Sequence, residues 1–248
     1  LNLQLKLYSQ EDVYNTAALY GSTVLQMAQQ PHGLWHLKNS MQSLSDSLEE
    51  SLRNTGANII FGQEVNSITF DNAKKYWKIC SKSKKGSFEY FADNLIYTAP
   101  PQSLLKNLQE PLSKKQSYKK RITNLPNPSG ALVFYSALRK KHIKKISSNH
   151  YQFFSNELGS LFVSISLDGD GRAPKGEVTL IASIFTNTKD WFGLDKEKYL
   201  EKKKEYLKRI SYELEKQFDI ASENWLHKEL ATPLGFEKWT NRPNGIVG

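Results

Sequence analysis

The sequence predicts an α+β (mixed α/β) fold on three observations. Two stretches before residue 56 carry apolar residues at helical spacing. Four β-rich runs between Gly130 and Phe185, bounded by turn residues, suit an antiparallel sheet. One long helical stripe follows near residue 200.

The first helix is expected from Ser9 to Gln30. Ser9 can cap it, and Glu11 and Asp12 fall in the first turn, where carboxylates favour the helix dipole. Val13, Ala17, Tyr20, Val24 and Met27 make its apolar stripe, and Pro31 and Gly33 end it. Asn39 is the expected cap of a second helix, with Gln42 three residues on. Met41, Leu44, Leu48 and Leu52 form its stripe, and Gly56 supplies the stop.

Strands follow at "NIIFG", at "EVNSITFD" up to the turn Asp71-Asn72, and at "KYWKICSK" up to Lys84-Lys85-Gly86. "FEYFADNLIYTAPP" is expected as one more strand, ended by Pro100 and Pro101, since proline cannot donate to a sheet ladder. From Gln102 the chain is polar and punctuated by proline. The runs "GALVFYSAL", "HYQFFSN", "GSLFVSISL" and "EVTLIASIF" then form the antiparallel sheet. Asp195 caps the long helix, whose stripe is Tyr199, Leu207, Ile210, Leu214 and Phe218. A last strand, "WLHKELATP", precedes a short helical piece, "LGFEKW".

A chain of 248 residues, 39% hydrophobic, can bury a core in one large or two interleaved domains. It opens at Leu1 and closes on the apolar "RPNGIVG", so the expectation is the interior of a longer protein. No stretch approaches the roughly 18 uninterrupted apolar residues of a membrane span, and no signal-peptide pattern is visible. The lone Cys80 excludes an internal disulfide and reads as a small residue in a strand. The net charge of +9 is clumped in "KKQSYKKR", "RKKHIKK" and "KKKEYLKR", which suit an anionic surface of lipid or nucleic acid, or a plain solvated face.

Few motifs carry chemistry. His32 and His36 stand four apart, but Pro31 and Gly33 oppose a helix there, so a metal pair is rejected in favour of a turn passing something flat. In "LDGDGRAPKG", Asp168, Asp170 and Arg172 are the catalytic-looking groups, and local pairing of Asp170 with Arg172 is preferred to acid–base work. There is no glycine-rich phosphate loop, no cysteine pair and no Ser/His/Asp order. The helix–strand unit from Pro31 to Ile68 has the layout of a segment beside a dinucleotide, with Val65 and Ile68 as a V-x-x-I pair. Spacing alone favours an ordinary strand with two core residues. "ADNLIYTAPP" reads in the same way: a strand ending in small residues lets a backbone approach a cofactor, but by itself plain core is favoured.

Taken together, "PHGLWHLKNSMQSLSDSLEESL", "EVNSI", "ADNLIYTAPP", "SLFVSISLDGDGRAPKGEVTLIASIFT" and "ATPLGFEKWTNRPNGIVG" resemble the phytoene desaturase and carotenoid isomerase flavoprotein family, most nearly its cyanobacterial carotenoid C-3′,4′ desaturase type. The resemblance covers almost the whole chain. It implies part of a two-lobed FAD/NAD(P)-binding flavoprotein fold with a sheet-and-helix substrate lobe. On that reading residues 1–30 are the helical part of the substrate lobe and 31–101 a partial FAD-binding domain. Residues 102–230 are then the substrate-binding lobe and 231–248 a return segment. The resemblance places Val65 beside the adenosine, Ala99 and Pro100 near the dinucleotide and Gly33 near the flavin. Gly245 and Gly248 lead toward a closing motif.

The family's G-x-G-x-x-G loop and closing Gly-Asp motif are both missing, so the expectation is that this chain alone does not retain FAD. The implied activity is FAD-dependent carotenoid desaturation, a hydride passing from a polyene to the flavin. No catalytic residue is named. Flavin-dependent cis-trans isomerisation is the alternative within the family, and a basic nucleic-acid-binding protein the alternative outside it. The expected partners are a carotenoid or other polyene and the surface of a membrane, reached peripherally from the cytoplasmic side.

Overall fold

The computed structural model describes residues 1–29, 37–110, 112–125, 129–166 and 169–247. In chain order the elements are α1 (Asn2–Ser9), α2 (Ala18–Gln29), α3 (Gln42–Asn54), β1 (Glu64–Asp71), β2 (Tyr76–Ser83), β3 (Gly86–Ala92), α4 (Pro101–Asn107), α5 (Gln116–Thr123), β4 (Ser129–Arg139), β5 (His150–Ser155), β6 (Gly159–Ile165), β7 (Glu177–Asn187), α6 (Lys196–Phe218), β8 (Trp225–Ala231) and α7 (Pro233–Thr240). Helices and two antiparallel sheets make the fold α+β, as expected.

Packing divides the chain into two units. One comprises Leu1–Leu48, Pro128–Thr240 and Asn244–Gly248, the other Glu49–Asn127 and Asn241–Pro243. The lobes implied by the resemblance change instead at residues 31, 102 and 231.

The larger unit holds a five-stranded sheet in the order β5-β6-β7-β4-β8, antiparallel throughout. Alternation sends Leu132, Phe134 and Leu138 of β4, and Val178, Leu180, Ala182 and Ile184 of β7, to one face. They form one cluster with Ile210, Leu214 and Phe218 of α6. Full burial of each large side chain there contributes about 1.5–3 kcal/mol. Asp195 caps α6 as expected, its Oδ1 accepting from the Lys198 N–H at 2.9 Å. Asp219, at φ 52°, ends the helix and sends its N–H back to the Glu215 carbonyl. Buried Trp191 donates through Nε1 to Thr186 Oγ1 at 3.0 Å and meets Tyr199 edge-on.

The smaller unit is a β1-β2-β3 meander followed by α4 and α5. Asp71 Oδ1 accepts from the N–H groups of Ala73 and Lys74, both at 2.9 Å, and closes the first turn. The Lys74 N–H foremost holds the Asp71 carboxyl below its usual range. Pro101 opens α4 at its first turn, where a missing N–H costs nothing. Ile68, at 1% exposed, is the most buried apolar residue among those described here.

Several expected elements differ, each for a local reason. Ser9 closes α1 instead of opening a helix: its hydroxyl donates to the Leu5 carbonyl at 2.8 Å, and Gln10 turns to φ 62°. Asp12 then accepts from the N–H groups of Tyr14 and Asn15, both at 3.0 Å, and this side-chain turn delays α2 to Ala18. Asn39 lies at φ 72°, and Ser40 Oγ accepts from the Gln42 N–H instead. "NIIFG" is not a strand, and Phe61 is 71% exposed. β3 stops at Ala92, opposite Trp77, because β2 begins only one residue earlier. The polar stretch after Gln102 holds two helices.

Candidate functional site

Of the residues carried over from the resemblance, Val65, Ala99 and Pro100 fall in the smaller unit. Gly33 lies outside the described residues together with His32, Trp35 and His36. Val65 is half-buried on β1, an outer strand of the meander. The start of that strand is fixed by Gln63, whose Oε1 accepts from Ser81 Oγ at 2.7 Å and from the Tyr90 hydroxyl at 2.8 Å.

The direction of Val65's backbone groups follows from the register. The Ile68 carbonyl accepts from the Gln109 N–H at 2.9 Å, so Ile68 faces away from β2. Alternation then turns Ser67 and Thr69 toward β2, and in a regular strand Val65 would face β2 as well. The ladder is not regular. Ser67 stands opposite Cys80 and Val65 opposite Ser81, which leaves Asn66 as an extra residue. The extra residue reverses the phase, so the N–H and C=O of Val65 point outward, away from β2.

Ala99 is exposed, and Pro100 is the residue before α4, with φ −54° and ψ 141°. The Pro100 carbonyl accepts from the Ser103 N–H at 2.9 Å, so it serves the first turn of α4. Both lie on the segment joining β3 to α4, not at the end of a strand.

In the larger unit, the sheet face opposite α6 mixes apolar and polar side chains, and α1 meets it at β5 and β6. Its central row reads His150, Ser164, Ile181, Tyr135, Glu229 across β5, β6, β7, β4 and β8. The next row reads Gln152, Phe162, Ser183, Val133, Ala231. His150 stacks on Phe162 with centroids 5.9 Å apart and planes 11° from parallel. Tyr135 is 39% exposed. Burial first, and then the Glu229 charge, push its phenol above the usual range, so it stays a neutral hydroxyl. His227 Nε2 lies 3.8 Å from Glu229 at the rim.

Sequence reasoning named none of these face residues. The signal was the second half of the alternation: in "GALVFYSAL" both the odd and the even positions are apolar, so both faces of β4 meet apolar matter.

The Asp170–Arg172 pairing is present. Arg172 Nε and its backbone N–H donate to Asp170 at 2.8 and 2.9 Å, and the Asp170 carbonyl accepts from the Asn39 N–H at 2.6 Å. Asp170 is buried, so this pair holds the loop and is not offered to a substrate. Gly171, at φ +81°, is required where it stands, since a Cβ would come within 2.7 Å of Asn39 Oδ1. Asp168 lies outside the described residues. At the end of the chain Gly245 packs on Pro233, whose carbonyl a Cβ would strike, and Gly248 is outside the described residues.

No protein-family model matches the chain, and no curated protein does. Among solved structures, the OxyS anhydrotetracycline hydroxylase from Streptomyces rimosus aligns with a TM-score of 0.38 at 11% identity, over 76% of this chain and 32% of that one. Rab GDI from Plasmodium falciparum aligns with a TM-score of 0.31 at 14% identity, over 68% of this chain and 31% of that one. The chain thus spans about a third of the length of each. At these values the functional reading rests on the chain's own residues.

Proposed function

We propose that this chain is part of an FAD-dependent oxidoreductase of the phytoene desaturase type, taking a hydride from an elongated apolar polyene. The observation that carries the reading is the bulge at Asn66, which turns the backbone of Val65 outward, where the resemblance calls for an adenine contact. The residues fit only that adenosine half, since the sequence holds no G-x-G-x-x-G run to cradle the pyrophosphate. Bound FAD would supply the hydride acceptor.

The rest falls to the chain. Val65 holds the adenine edge with one N–H and one C=O. In the larger unit, a row across five strands runs about 19 Å at ~4.8 Å per strand, the shape of a surface for a long, thin substrate. Ile181, Tyr135, Phe162 and Val133 give that surface its apolar contact and exclude water. The basic runs suit peripheral binding to an anionic bilayer from which such a substrate is drawn.

The test expresses the chain within its full reading frame. A yellow protein with a flavin spectrum is expected, reduced anaerobically by the polyene in desaturation and not consumed in isomerisation. Val65→Pro removes the outward N–H at an edge position where proline is tolerated. It should weaken FAD binding roughly five- to tenfold relative to Val65→Ala, the worth of one hydrogen bond. A colourless protein that refuses added FAD, or equal affinities for the two variants, would overturn the reading.

A further inference from the structure

We propose a second ligand site, within the β1–β3 unit: a pocket for a free carboxylate amphiphile, a fatty-acid-type chain with one anionic end. It goes beyond the flavoenzyme reading and does not depend on it.

A cavity of about 290 Å³ opens here, close to the smallest volume usual for a small-molecule site. It exists because β1 meets the end of α4 only around Ile68, through the Ile68–Leu108 bridge and the Gln109 N–H. Buried Ile68 is its base, with Leu104 and Leu108 of α4 beside it. The aromatic side chains of Trp77, Tyr97 and Tyr118 complete the wall. The segment that expected pairing as a strand contributes here: Leu95 and Tyr97 line the cavity, while Ile96 between them is 86% exposed. Burial raises the Tyr97 phenol, against hydrogen bonding with Ser103 and Asn107 that draws it down, so the wall carries no charge at neutral pH.

One cation lies on this apolar lining. Lys115, the residue before α5, lines the cavity and is itself exposed, which places it at the mouth. It has no carboxylate partner among the described residues, whereas its neighbour Lys114 is engaged by Glu110 at 2.7 Å. α5 adds Lys119, Lys120 and Arg121 and no acid. An apolar interior rejects a buried charge, and a lone cationic mouth favours an anion. A neutral hydrocarbon would leave Lys115 unused, and free phosphate would leave the walls unused. A chain with a terminal carboxylate uses both.

The experiment titrates the whole protein calorimetrically with decanoate below its micellar concentration, with decanol and decyltrimethylammonium as length-matched probes. Saturable one-to-one binding of decanoate is expected, with decanol weaker and the cation silent. Lys115→Glu should weaken decanoate roughly five- to tenfold while sparing decanol. Leu108→Trp fills the cavity and should abolish both. If that variant does not fold by circular dichroism, Tyr118→Trp, on α5 and also lining the cavity, takes its place, with reduced binding expected.

The proposal is overturned if wild-type protein does not bind decanoate, if decanol binds as well with Lys115→Glu silent, or if a folded filled variant still binds. It is equally overturned if the protein floats on phosphatidylglycerol vesicles through these residues while ignoring decanoate, which would assign the site to a bilayer lipid.

Discussion

In the larger unit, α6 lays Ile210, Leu214 and Phe218 onto a sheet whose facing side chains are nearly all buried. In the smaller unit, α4 and α5 follow a sheet of similar strand length, yet Phe91 is 57% exposed and, among the described residues, only Ile68, Ser81 and Ile122 are buried. Helix length explains much of this. A 23-residue α6 spans about 34 Å and can cover a sheet, while helices of seven and eight residues, about 10–12 Å each, cover one corner. The first unit therefore spends its apolar surface on its own stability. The second keeps apolar surface open, and both a cavity and an outward-facing strand edge result.

The contrast can be broken by mutation. Phe134→Ala, at the centre of the larger core and edge-on to Trp225, should cost about 3–5 kcal/mol and abolish hydrogen-exchange protection in β4 and β7. Ile68→Ala in the smaller unit should cost only about 2–3 kcal/mol, because a cavity already borders that side chain and less packing is lost. Equal costs in denaturant titrations would mean that the two units are packed alike.

The smallest effect sharpens the role of α6. The Lys198 N–H, first among several contacts, lowers the carboxyl of Asp195. A lowered folded value means that the cap stabilises fully above the unfolded value of about 3.9 and fades as pH falls through the folded one. Asp195→Asn keeps a capping oxygen without a charge. Wild type should therefore lose melting temperature relative to this variant below about pH 4, and parallel pH profiles would remove Asp195 from the account.

What the sequence made legible was local. Asp195, the stripe Ile210–Leu214–Phe218 and the stop at Gly56 all depend on residues within a few positions of each other, and all are present. What it hid was pairing. "NIIFG" and the run after Ala92 have the composition of strands, but composition does not say whether a partner strand reaches that far. Ser9 misled for a related reason: its hydroxyl can serve the turn before it or the turn after it, and the Leu5 carbonyl took it. The candidate substrate face stayed hidden because reading a strand as buried does not reveal that its two sides are covered by different things. Val65 was singled out by the resemblance, but the property that makes it usable, its outward backbone, follows from the bulge at Asn66.

That neighbour gives strand β1 an unusual tolerance. The direction of the amide of residue 65 follows from the backbone register opposite Ser81 and not from any one side chain between Glu64 and Ser67. Loss of a single codon at Asn66 would set Val65 directly before Ser67 in a regular ladder, still opposite Ser81, so the outward amide would survive while the kink of the bulge would go.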